Sequence, residues 1–378
     1  MPPFLQENWL DVLSLSGQLT LEPLLDMAVQ LAYFHQDIEV ITPHQHPGSE
    51  EHVWFPVAQN FDQIRPLLDQ EEDIAQLARL EKWSSDRYRA LRPLIRERKA
   101  GTDSMADLGF LCVNMDARGL SDLTFFVVNK YMDISGDFRG LGLLSFYRAY
   151  QALVQARIVL LRSHGDDLND QLTSQALAEY RLYANLAESY CQTKKPFLAI
   201  MQGLSGSGKT SAGRELVKHA NCIMLRTDIE RKRLFGLKPE ASSHEAGLSI
   251  YTQDATQKTY LTIQEAARSL LSQGISVVID GASLKFQERA LCCQPAIELQ
   301  YPYFIVKCVA PDDVLKRRII KRQFNNTDAS EATIGLIKQQ RQWEEPLSDQ
   351  EKEHTIVLNT ACKHWREKLL TDLTIQLN

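Results

Sequence analysis

Apolar positions in the first half of the chain follow the three- and four-residue spacing of helices. Between residue 1 and about residue 193, this spacing places apolar side chains on one face of each segment. It is seen in "LTLEPLLDMAVQLAYFH", "NFDQIRPLLD", "DIAQLARLEKW", "LLSFYRAYQALVQARIVLLRS" and "LTSQALAEYRLYANLAESY". "DLTFFVVNKYMD" also favours helix over strand. The pattern predicts a mainly α-helical domain over residues 1–193.

The pattern changes at Lys194-Lys195-Pro196, where short apolar runs begin to alternate with helical segments. The runs are "FLAIMQG", "CIMLRTD", "ISVVIDG", "YFIVKCVA" and "HTIVLNT". The segment from Leu248 to Leu271, between the second and third runs, favours helix. Strand–helix alternation is typical of a parallel sheet that helices cover on both faces. Residues 194–378 are therefore predicted to form a second, α/β domain.

Composition narrows the class of protein. The chain has 378 residues, which fits two domains that each bury a core. Its net charge of −6 and pI near 5.9 disfavour nucleic acid as a whole-surface partner, although they do not exclude a local basic cleft. Seven scattered cysteines without a CxxC pair fit free thiols in a reducing compartment. The N-terminus has no basic region before an apolar stretch, and no apolar run approaches the roughly 18 residues that span a bilayer. We therefore expect a cytoplasmic protein without a membrane partner.

A glycine- and serine-rich loop follows the first apolar run of the second half. Residues Gly203 to Thr210 read "GLSGSGKT" and fit G-x-x-x-x-G-K-[ST] between a predicted strand and a predicted helix. In such a loop backbone N–H groups surround the β-phosphate, Lys209 reaches the β- and γ-phosphate oxygens, and the Thr210 hydroxyl can ligate Mg²⁺. The motif predicts that ATP and Mg²⁺ bind here, and a chance Gly/Ser-rich turn is the alternative. The predicted nucleotide-binding residues are Gly203, Ser205, Gly206, Ser207, Gly208, Lys209, Thr210 and Ser211.

Two carboxylates stand at the ends of predicted strands. Asp228 is expected at the carboxyl edge of the sheet, where ligands bind in open α/β folds, and it can take a proton from an attacking hydroxyl. Arg231, three residues later, can orient the same substrate. Asp280 ends the third run and can hold the water shell of Mg²⁺ or contact substrate. The alternatives are a helix N-cap for Asp228 and a strand-end turn for Asp280.

An Arg- and Lys-rich segment lies between the last two predicted strands. Polar residues, "NNTDAS", divide it into two helices. Such a segment can close over ATP, neutralise charge on the transferring phosphoryl group and exclude water, whereas a solvated helix face is the alternative. Arg318 and Arg322 are the predicted catalytic pair because their i, i+4 spacing places them on one helix face. The cations are Lys316, Arg317, Arg318, Lys321 and Arg322, and Arg289 is a further charge that belongs to either the surface or the edge of the site.

Residues 196–378 resemble small P-loop kinases of the AAA_33 or zeta-toxin-like group. That group includes the polynucleotide 5′-hydroxyl kinases and neighbours the gluconate-kinase-like sugar kinases. The resemblance rests on GLSGSGKT, the R-x-D-x-x-R of Arg226, Asp228 and Arg231, the strand-end Asp280 and the Arg-rich segment. It implies an α/β P-loop NTPase kinase domain with a parallel sheet of strand order 2-3-1-4-5. It also implies that Asp228 is the catalytic base, but it does not identify the substrate.

Residues 1–190 resemble helices from the C-lobe of aminoglycoside-phosphotransferase-like kinases. The matching stretches are "LAYFHQ", "NFDQI", "DSMADLGFL" and "FYRAYQALVQAR". That family's H-G-D-x-H-x-x-N loop, expected before "TDSMADLGFL", is absent from this stretch, and we expect no N-lobe that anchors ATP in these residues. "SHGDDLND" lies after the FYRAY helix with the wrong spacing, so it is interpreted as a polar connector; "HQHPGSEEH" fits no zinc template. The resemblance implies a degenerate, non-catalytic domain.

Three functions agree with these features. The leading one is an ATP- and Mg²⁺-dependent phosphotransferase that acts on a hydroxyl of an unidentified small molecule, sugar or nucleotide-like substrate. The second is a nucleotide-dependent switch or scaffold, which would need no base such as Asp228. The third is a polynucleotide 5′-hydroxyl kinase, which Arg231-Lys232-Arg233 favours and the acidic pI disfavours.

Overall fold

The computed structural model describes residues 19–37, 50–98, 103–163, 170–192, 195–325 and 330–377. The described chain divides into two compact units. Unit 1 contains the residues up to Thr124 and those from Gly140 to residue 192, and unit 2 contains Phe125–Arg139 and the residues from 195 onward. Phe125–Arg139 thus belongs to the second unit, although it precedes residue 193 in the sequence. His44, His46 and residues 164–169 of the two polar stretches lie outside the described residues.

The first half of the chain is helical, as its apolar spacing predicts, and no strand occurs before Leu198 in the part that the structure describes. Asp103 caps one of its helices, because its side chain accepts a hydrogen bond from the backbone N–H of Met105. Short 3₁₀ turns occupy Arg65–Leu67 and Gly140–Leu143. The helices are α1 (Leu21–Asp37), α2 (Glu50–Ile64), α3 (Glu71–Glu97), α4 (Ser104–Ala117), α5 (Ser121–Ser135), α6 (Leu144–Arg162) and α7 (Asp170–Tyr190).

In unit 1, a buried carboxylate of α4 bonds to side chains from three other helices. Asp116 accepts hydrogen bonds from the Thr124 hydroxyl at 2.8 Å, from Arg148 Nη2 at 2.5 Å and from the Tyr190 hydroxyl at 2.6 Å. The Arg148 guanidinium also lies over the Tyr190 ring, 3.9 Å from its centre. Because the buried charge is paired and hydrogen-bonded, Asp116 fixes how α4, α6 and α7 pack. No helix among the described residues has the length and apolar content that crossing a bilayer requires.

Unit 2 contains a five-stranded parallel sheet of order β2-β3-β1-β4-β5, which confirms the predicted fold class. The central strand pairs on both sides: Leu198 of β1 lies opposite Val277 of β3 and opposite Tyr303 of β4. All five residues of β1 are buried, as expected for a strand covered on both faces. The strands are β1 (Leu198–Gln202), β2 (Ile223–Arg226), β3 (Val277–Asp280), β4 (Tyr303–Val309) and β5 (Thr355–Asn359).

Helices connect the strands and bury their apolar faces against the sheet. Thr252 caps the long helix after β2, because its hydroxyl accepts from the backbone N–H of Ala255 at 3.1 Å. The cap explains why this helix begins at Gln253 and not at the predicted Leu248. The helices are α8 (Lys209–Ala220), α9 (Thr227–Leu234), α10 (Gln253–Ser272), α11 (Phe286–Glu298), α12 (Asp312–Asn325), α13 (Ile334–Trp343), α14 (Asp349–Glu353) and α15 (Trp365–Leu377).

Candidate active site

The loop after β1 has the backbone that its glycines predict. Gly203 and Gly206 have φ values of +142° and +81°, a region that L side chains rarely adopt. A Cβ on Gly203 would lie 2.4 Å from the carbonyl oxygen of Cys308, and one on Gly206 would lie 2.7 Å from that of Leu315. The loop can therefore make these close approaches only with glycine. It leads directly into α8, whose N-terminal N–H groups and dipole favour an anion.

Lys209, the first residue of α8, turns back into the loop. Its Nζ donates hydrogen bonds to the carbonyl oxygens of Gly203 and Leu204, both at 2.9 Å. Burial lowers the pKa of Lys209, and the carboxylates of Asp280 and Asp228 oppose this shift. The ammonium group thus lies inside the loop, within electrostatic range of both candidate carboxylates.

The oxygens of Thr210 and Asp280 form a pair at the start of α8. Thr210 Oγ1 donates to Asp280 Oδ2 at 2.8 Å, and Arg226 Nε lies 3.7 Å from the same oxygen. Arg226 and Asp280 are register partners at the carboxyl ends of β2 and β3. Mg²⁺ prefers oxygen ligands and uses one or two protein groups together with phosphates and waters. The pair fits Mg²⁺ held together with a nucleotide.

Asp228 lies in the first turn of α9 and is half-buried. The residue at the N-cap position is Arg226, so Asp228 does not have the N-cap role that was its alternative. Burial raises the pKa of Asp228, while the charges of Arg226 and Arg231 and a hydrogen bond with Ser330 oppose this shift. A carboxylate with a raised pKa accepts a proton more readily near neutral pH, which suits a general base.

The predicted pair of lid arginines separates in the structure. Arg322 lines the same cleft as Lys209, as predicted. Arg318 does not line it: its Nη1 donates to the Gly206 carbonyl at 3.1 Å and to Thr360 Oγ1 at 2.8 Å, and its Nη2 donates to the Thr360 carbonyl at 2.9 Å. Because the backbone of α12 contacts the loop at Leu315, Arg318 is drawn against the outer side of the loop. The structure therefore gives Arg318 a bracing position and not the phosphate-facing position that its spacing predicts.

The other candidate residues meet in one cleft of about 740 Å³ at the carboxyl edge of the sheet. Of the predicted nucleotide-binding residues, Gly203, Ser207 and Ser211 do not line the cleft. Arg231 lines it and is largely buried: its Nη1 donates to Thr256 Oγ1 at 2.9 Å and to the Ile250 carbonyl at 3.3 Å. The candidates that line the cleft are Ser205, Gly206, Gly208, Lys209, Thr210, Asp228, Arg231, Asp280 and Arg322.

Sequence reasoning missed three polar residues of this cleft. Gln340 of α13 is buried, and its Oε1 accepts from the backbone N–H of Ser205 at 2.8 Å. Ser330 lines the cleft with Asp228 and lowers the pKa of that carboxyl group. Glu331 accepts from the backbone N–H and the hydroxyl of Ser243 at 2.8 and 2.5 Å. These contacts could not be predicted, because single polar residues in or before a charged helix follow no periodic pattern.

The basic run that favoured a polynucleotide substrate is engaged inside unit 2. Lys232 is buried, donates to the Pro239 carbonyl at 3.2 Å and lies 3.4 Å from Glu331. Arg233 donates to the backbone carbonyls of Met132 and Asp133 at 3.1 and 2.7 Å. Arg231 also donates to Thr256 and to the Ile250 carbonyl, so these three side chains do not form an open basic patch.

Known proteins resemble this chain in sequence and in fold. Uncharacterized proteins of Mycobacterium tuberculosis (strain ATCC 25618 / H37Rv) and Mycobacterium bovis are each 28% identical over 246 residues, which is 64% of this chain and 48% of theirs. The chain thus spans about half the length of the curated relatives it matches. Among solved structures, a gluconokinase from Sinorhizobium meliloti 1021 (18% identical, TM-score 0.37) covers 48% of this chain and 94% of its own. The Mycobacterium tuberculosis APS kinase in complex with AMPPNP and APS (19% identical, TM-score 0.35) covers 48% of this chain and 97% of its own.

A family match falls on the second half of the chain and includes the phosphate loop, Asp228 and Asp280. No such match supports the predicted resemblance of residues 1–190 to an aminoglycoside-phosphotransferase C-lobe, which stays a prediction. The family model AAA_33, described as an AAA domain, matches residues 198–347, and this part of the chain has the P-loop fold.

Proposed function

We propose that the chain is an ATP- and Mg²⁺-dependent phosphotransferase that phosphorylates a hydroxyl group of a small polar molecule. The observation that carries the proposal is the shared cleft of Lys209 and Asp228. A protein that only binds a nucleotide needs the loop and Lys209 but has no need of a half-buried carboxylate facing them. The arrangement supports a site that both holds phosphates and accepts a proton from an acceptor.

Each residue has a role that follows from its position. Lys209 and the N–H groups of the loop would hold the β- and γ-phosphates, and Thr210 with Asp280 would hold Mg²⁺. When bound, Mg²⁺ would supply positive charge that neutralises the phosphate oxygens. Asp228 takes the proton of the acceptor hydroxyl, and Arg322 stabilises negative charge at the transferring group.

The surroundings of Asp228 suit this chemistry. Burial holds its pKa above the ordinary range, while the charges of Arg226 and Arg231 and the neighbouring Ser330 oppose this shift. An acceptor hydroxyl that donates to Asp228 would satisfy this carboxylate, so substrate binding would leave no buried charge without a partner. Arg231, one helical turn away, lies beside the position that such an acceptor would take.

The polar lining of the cleft favours a small acceptor over a polynucleotide. Besides the charged groups it includes Thr252, Gln253, Thr256 and Gln339, which can bind hydroxyl or other polar groups of a ligand. A polynucleotide needs a continuous basic track, and Lys232 and Arg233 are used for internal contacts. We therefore rank the polynucleotide 5′-hydroxyl kinase below a kinase for sugars or other hydroxylated metabolites.

A nucleotide-dependent switch is the second candidate function. Glu331, from the segment before α13, bonds to Ser243 and pairs with Lys232 of α9. This contact connects the Arg-rich region to the helix of Asp228, so closure over a nucleotide could move both elements together.

For residues 1–193 we propose a non-catalytic role that sets solubility or substrate selectivity, because the catalytic loop of the family they resemble is absent from their sequence.

A metabolite screen tests the proposed function. The full chain is incubated with γ-labelled ATP, Mg²⁺ and pools of hydroxylated metabolites, and phosphorylated products are identified by mass spectrometry. Lys209→Ala should lose ATP binding and transfer by several orders of magnitude. Lys258→Ala, an exposed lysine of α10 outside the cleft, is the matched control and should retain both. Equal ATP affinity in wild type and Lys209→Ala, measured by calorimetry, would overturn the assignment of the site.

A further inference from the structure

We infer that Phe125–Arg139, a segment from the first half of the sequence, is a positioning element of the phosphotransfer site. The segment holds strand β2 and helix α9 from outside and thereby fixes Asp228, which lies between its two points of attachment. The inference rests on the proposed role of Asp228 and concerns residues that belong to unit 2. It means that a kinase unit cut at residue 194 lacks a part of its own site.

The first attachment is to the edge of the sheet. Strand β2 is an edge strand, so the backbone groups on its outer side have no neighbouring strand. The side chain of Asn129, in α5, replaces that strand: its Nδ2 donates to the Cys222 carbonyl at 2.9 Å, and its Oδ1 accepts from the backbone N–H of Met224 at 2.6 Å. One buried carboxamide therefore makes the donor and acceptor contacts that a peptide group of a sixth strand would make.

The second attachment is to the end of α9. Arg233 Nη2 donates to the carbonyls of Met132 and Asp133, in the last turn of α5. The last carbonyls of a helix have few partners within it, and the guanidinium supplies a donor to both of these, although the Met132 carbonyl also accepts from the backbone N–H of Gly136 at 3.0 Å. The guanidinium also lies 5.8 Å from the centre of the Phe138 ring, in the range of a cation–π contact.

Gly136 makes room for this guanidinium. Its φ is +66°, and a Cβ added there would lie 2.0 Å from Arg233 Nη1 and 2.8 Å from its Cζ. The backbone of the segment therefore passes so close to Arg233 that any side chain at this position would displace it. A substitution at Gly136 is therefore a way to shift the guanidinium without changing Arg233 itself.

Asp228 lies between these attachments in the sequence. Met224 is four residues before it and Arg233 five residues after it, and the strand passes into α9 between Arg226 and Thr227 without a connecting loop. Fixing both ends of so short a piece fixes the direction of the Asp228 side chain within the cleft. The loop that holds phosphate is attached to β1 and α8 instead, so the segment acts on the base and not on the nucleotide site.

Two acidic side chains, Asp133 and Glu230, lie near the attachment. Burial raises the pKa of Asp133 to about 6, although Arg226 opposes the shift. Burial also raises the pKa of Glu230 to about 7, against the charge of Arg233. Carboxyl groups in such surroundings are stable only while their partners stay in place. Displacing Arg233 would therefore disturb α9 by more than one hydrogen bond.

Two alanine variants of the full chain test the inference. Gly136→Ala places a methyl group where the Arg233 guanidinium lies. Gly119→Ala introduces the same backbone strain, at φ +74°, but no atom lies within 4 Å of its new Cβ. Gly136→Ala should lower kcat for phosphotransfer about 10- to 100-fold while ATP affinity stays within about twofold. Gly119→Ala should change neither quantity. A second pair of variants tests the contact at the edge of β2. Asn129→Ala should lower kcat as Gly136→Ala does. Asn114→Ala is its control and should not, because Asn114 Nδ2 donates to a carbonyl of its own helix.

Hydrogen exchange distinguishes a failure of this inference from a failure of the proposed function. In Gly136→Ala, amides of residues 223–234 should exchange faster, and those of residues 203–217 should not. This readout needs no acceptor and no turnover. Equal exchange over residues 223–234 in wild type and Gly136→Ala would overturn the inference even if the chain proves to be a kinase. Parallel losses of ATP affinity and kcat would also overturn it, since they would show general destabilisation.

Discussion

The buried ion pair of Arg289 and Glu351 gives a stability prediction that does not depend on the function. Arg289 is 1% exposed, and its Nε and Nη2 donate to the two carboxylate oxygens of Glu351 at 2.5 and 3.1 Å. Its Nη groups also donate to the carbonyls of Leu284, Glu345 and Pro346 at 2.9 to 3.4 Å. The side chain thus joins α11 to the segment between α13 and α14, and it is neither a surface charge nor an edge of the active site.

Arg289→Ala leaves the Glu351 carboxylate and three carbonyls without this partner. Removing one member of a buried pair costs about 3–5 kcal/mol, and because the Glu351 side chain keeps 12% of its exposure we expect a loss near the lower limit, about 3 kcal/mol. The exposed pair of Arg268 and Glu298, with side chains 38% and 42% exposed, is the matched control. Arg268→Ala should cost under about 1 kcal/mol.

The assay is the free energy of exchange of buried strand amides in β1 and β4 at increasing urea, which reports on unit 2 alone. Equal losses in the two variants, or a loss below about 1 kcal/mol for Arg289→Ala, would refute the reasoning.

The dependence of stability on pH provides a second check on this ion pair. Burial would raise the pKa of Glu351, but hydrogen bonds from Arg289 and Ser348 outweigh it, and the net shift is downward from 4.5. The pair's contribution is therefore complete above pH 4.5 and is lost as pH falls through the lower folded-state pKa.

Three further predictions concern the site. Ser330→Ala removes a hydroxyl that lowers the pKa of Asp228, so the acid limb of the kcat/KM profile should move to higher pH; an unmoved limb would argue against Asp228 as the base. Arg318→Ala removes the brace on the phosphate loop and should weaken ATP binding by roughly tenfold in calorimetry, whereas the exposed neighbour Arg317→Ala should not. Thr210→Val should raise the Mg²⁺ concentration needed for half-maximal activity about 10- to 100-fold, and Thr210→Ser should restore it; equal Mg²⁺ dependence in all three proteins would remove Thr210 from the metal site.

Much of the fold could be predicted because its signals are local. The period of apolar residues distinguishes the helical half from the α/β half, and a parallel sheet brings Asp228 and Asp280 to the edge that holds the phosphate loop. The Gly-x-x-x-x-Gly-Lys-Thr spacing predicts the position of Lys209. The backbone at Gly203 and Gly206 passes close to Cys308 and Leu315, which only glycine permits.

What could not be predicted depends on contacts between distant residues. Arg318 and Arg322 share a helix face, yet only the packing of α12 on the phosphate loop decides that Arg318 bonds to Gly206 and Thr360. The amide of Asn129 closes the edge of a strand that begins more than ninety residues later. Neither contact has a period or a motif, because a single polar side chain can reach any backbone group that the fold brings near it.

A comparison of wild type and Asp228→Asn tests the central claim most directly. Asparagine keeps the shape of the side chain but cannot take a proton. With an acceptor found in the metabolite screen, single-turnover phosphotransfer should fall by about 10²- to 10⁴-fold, while ATP affinity and folding persist. The exposed carboxylate Glu353, changed to Gln, should leave the rate unchanged. An Asp228→Asn protein that transfers phosphate at the wild-type rate would contradict the account.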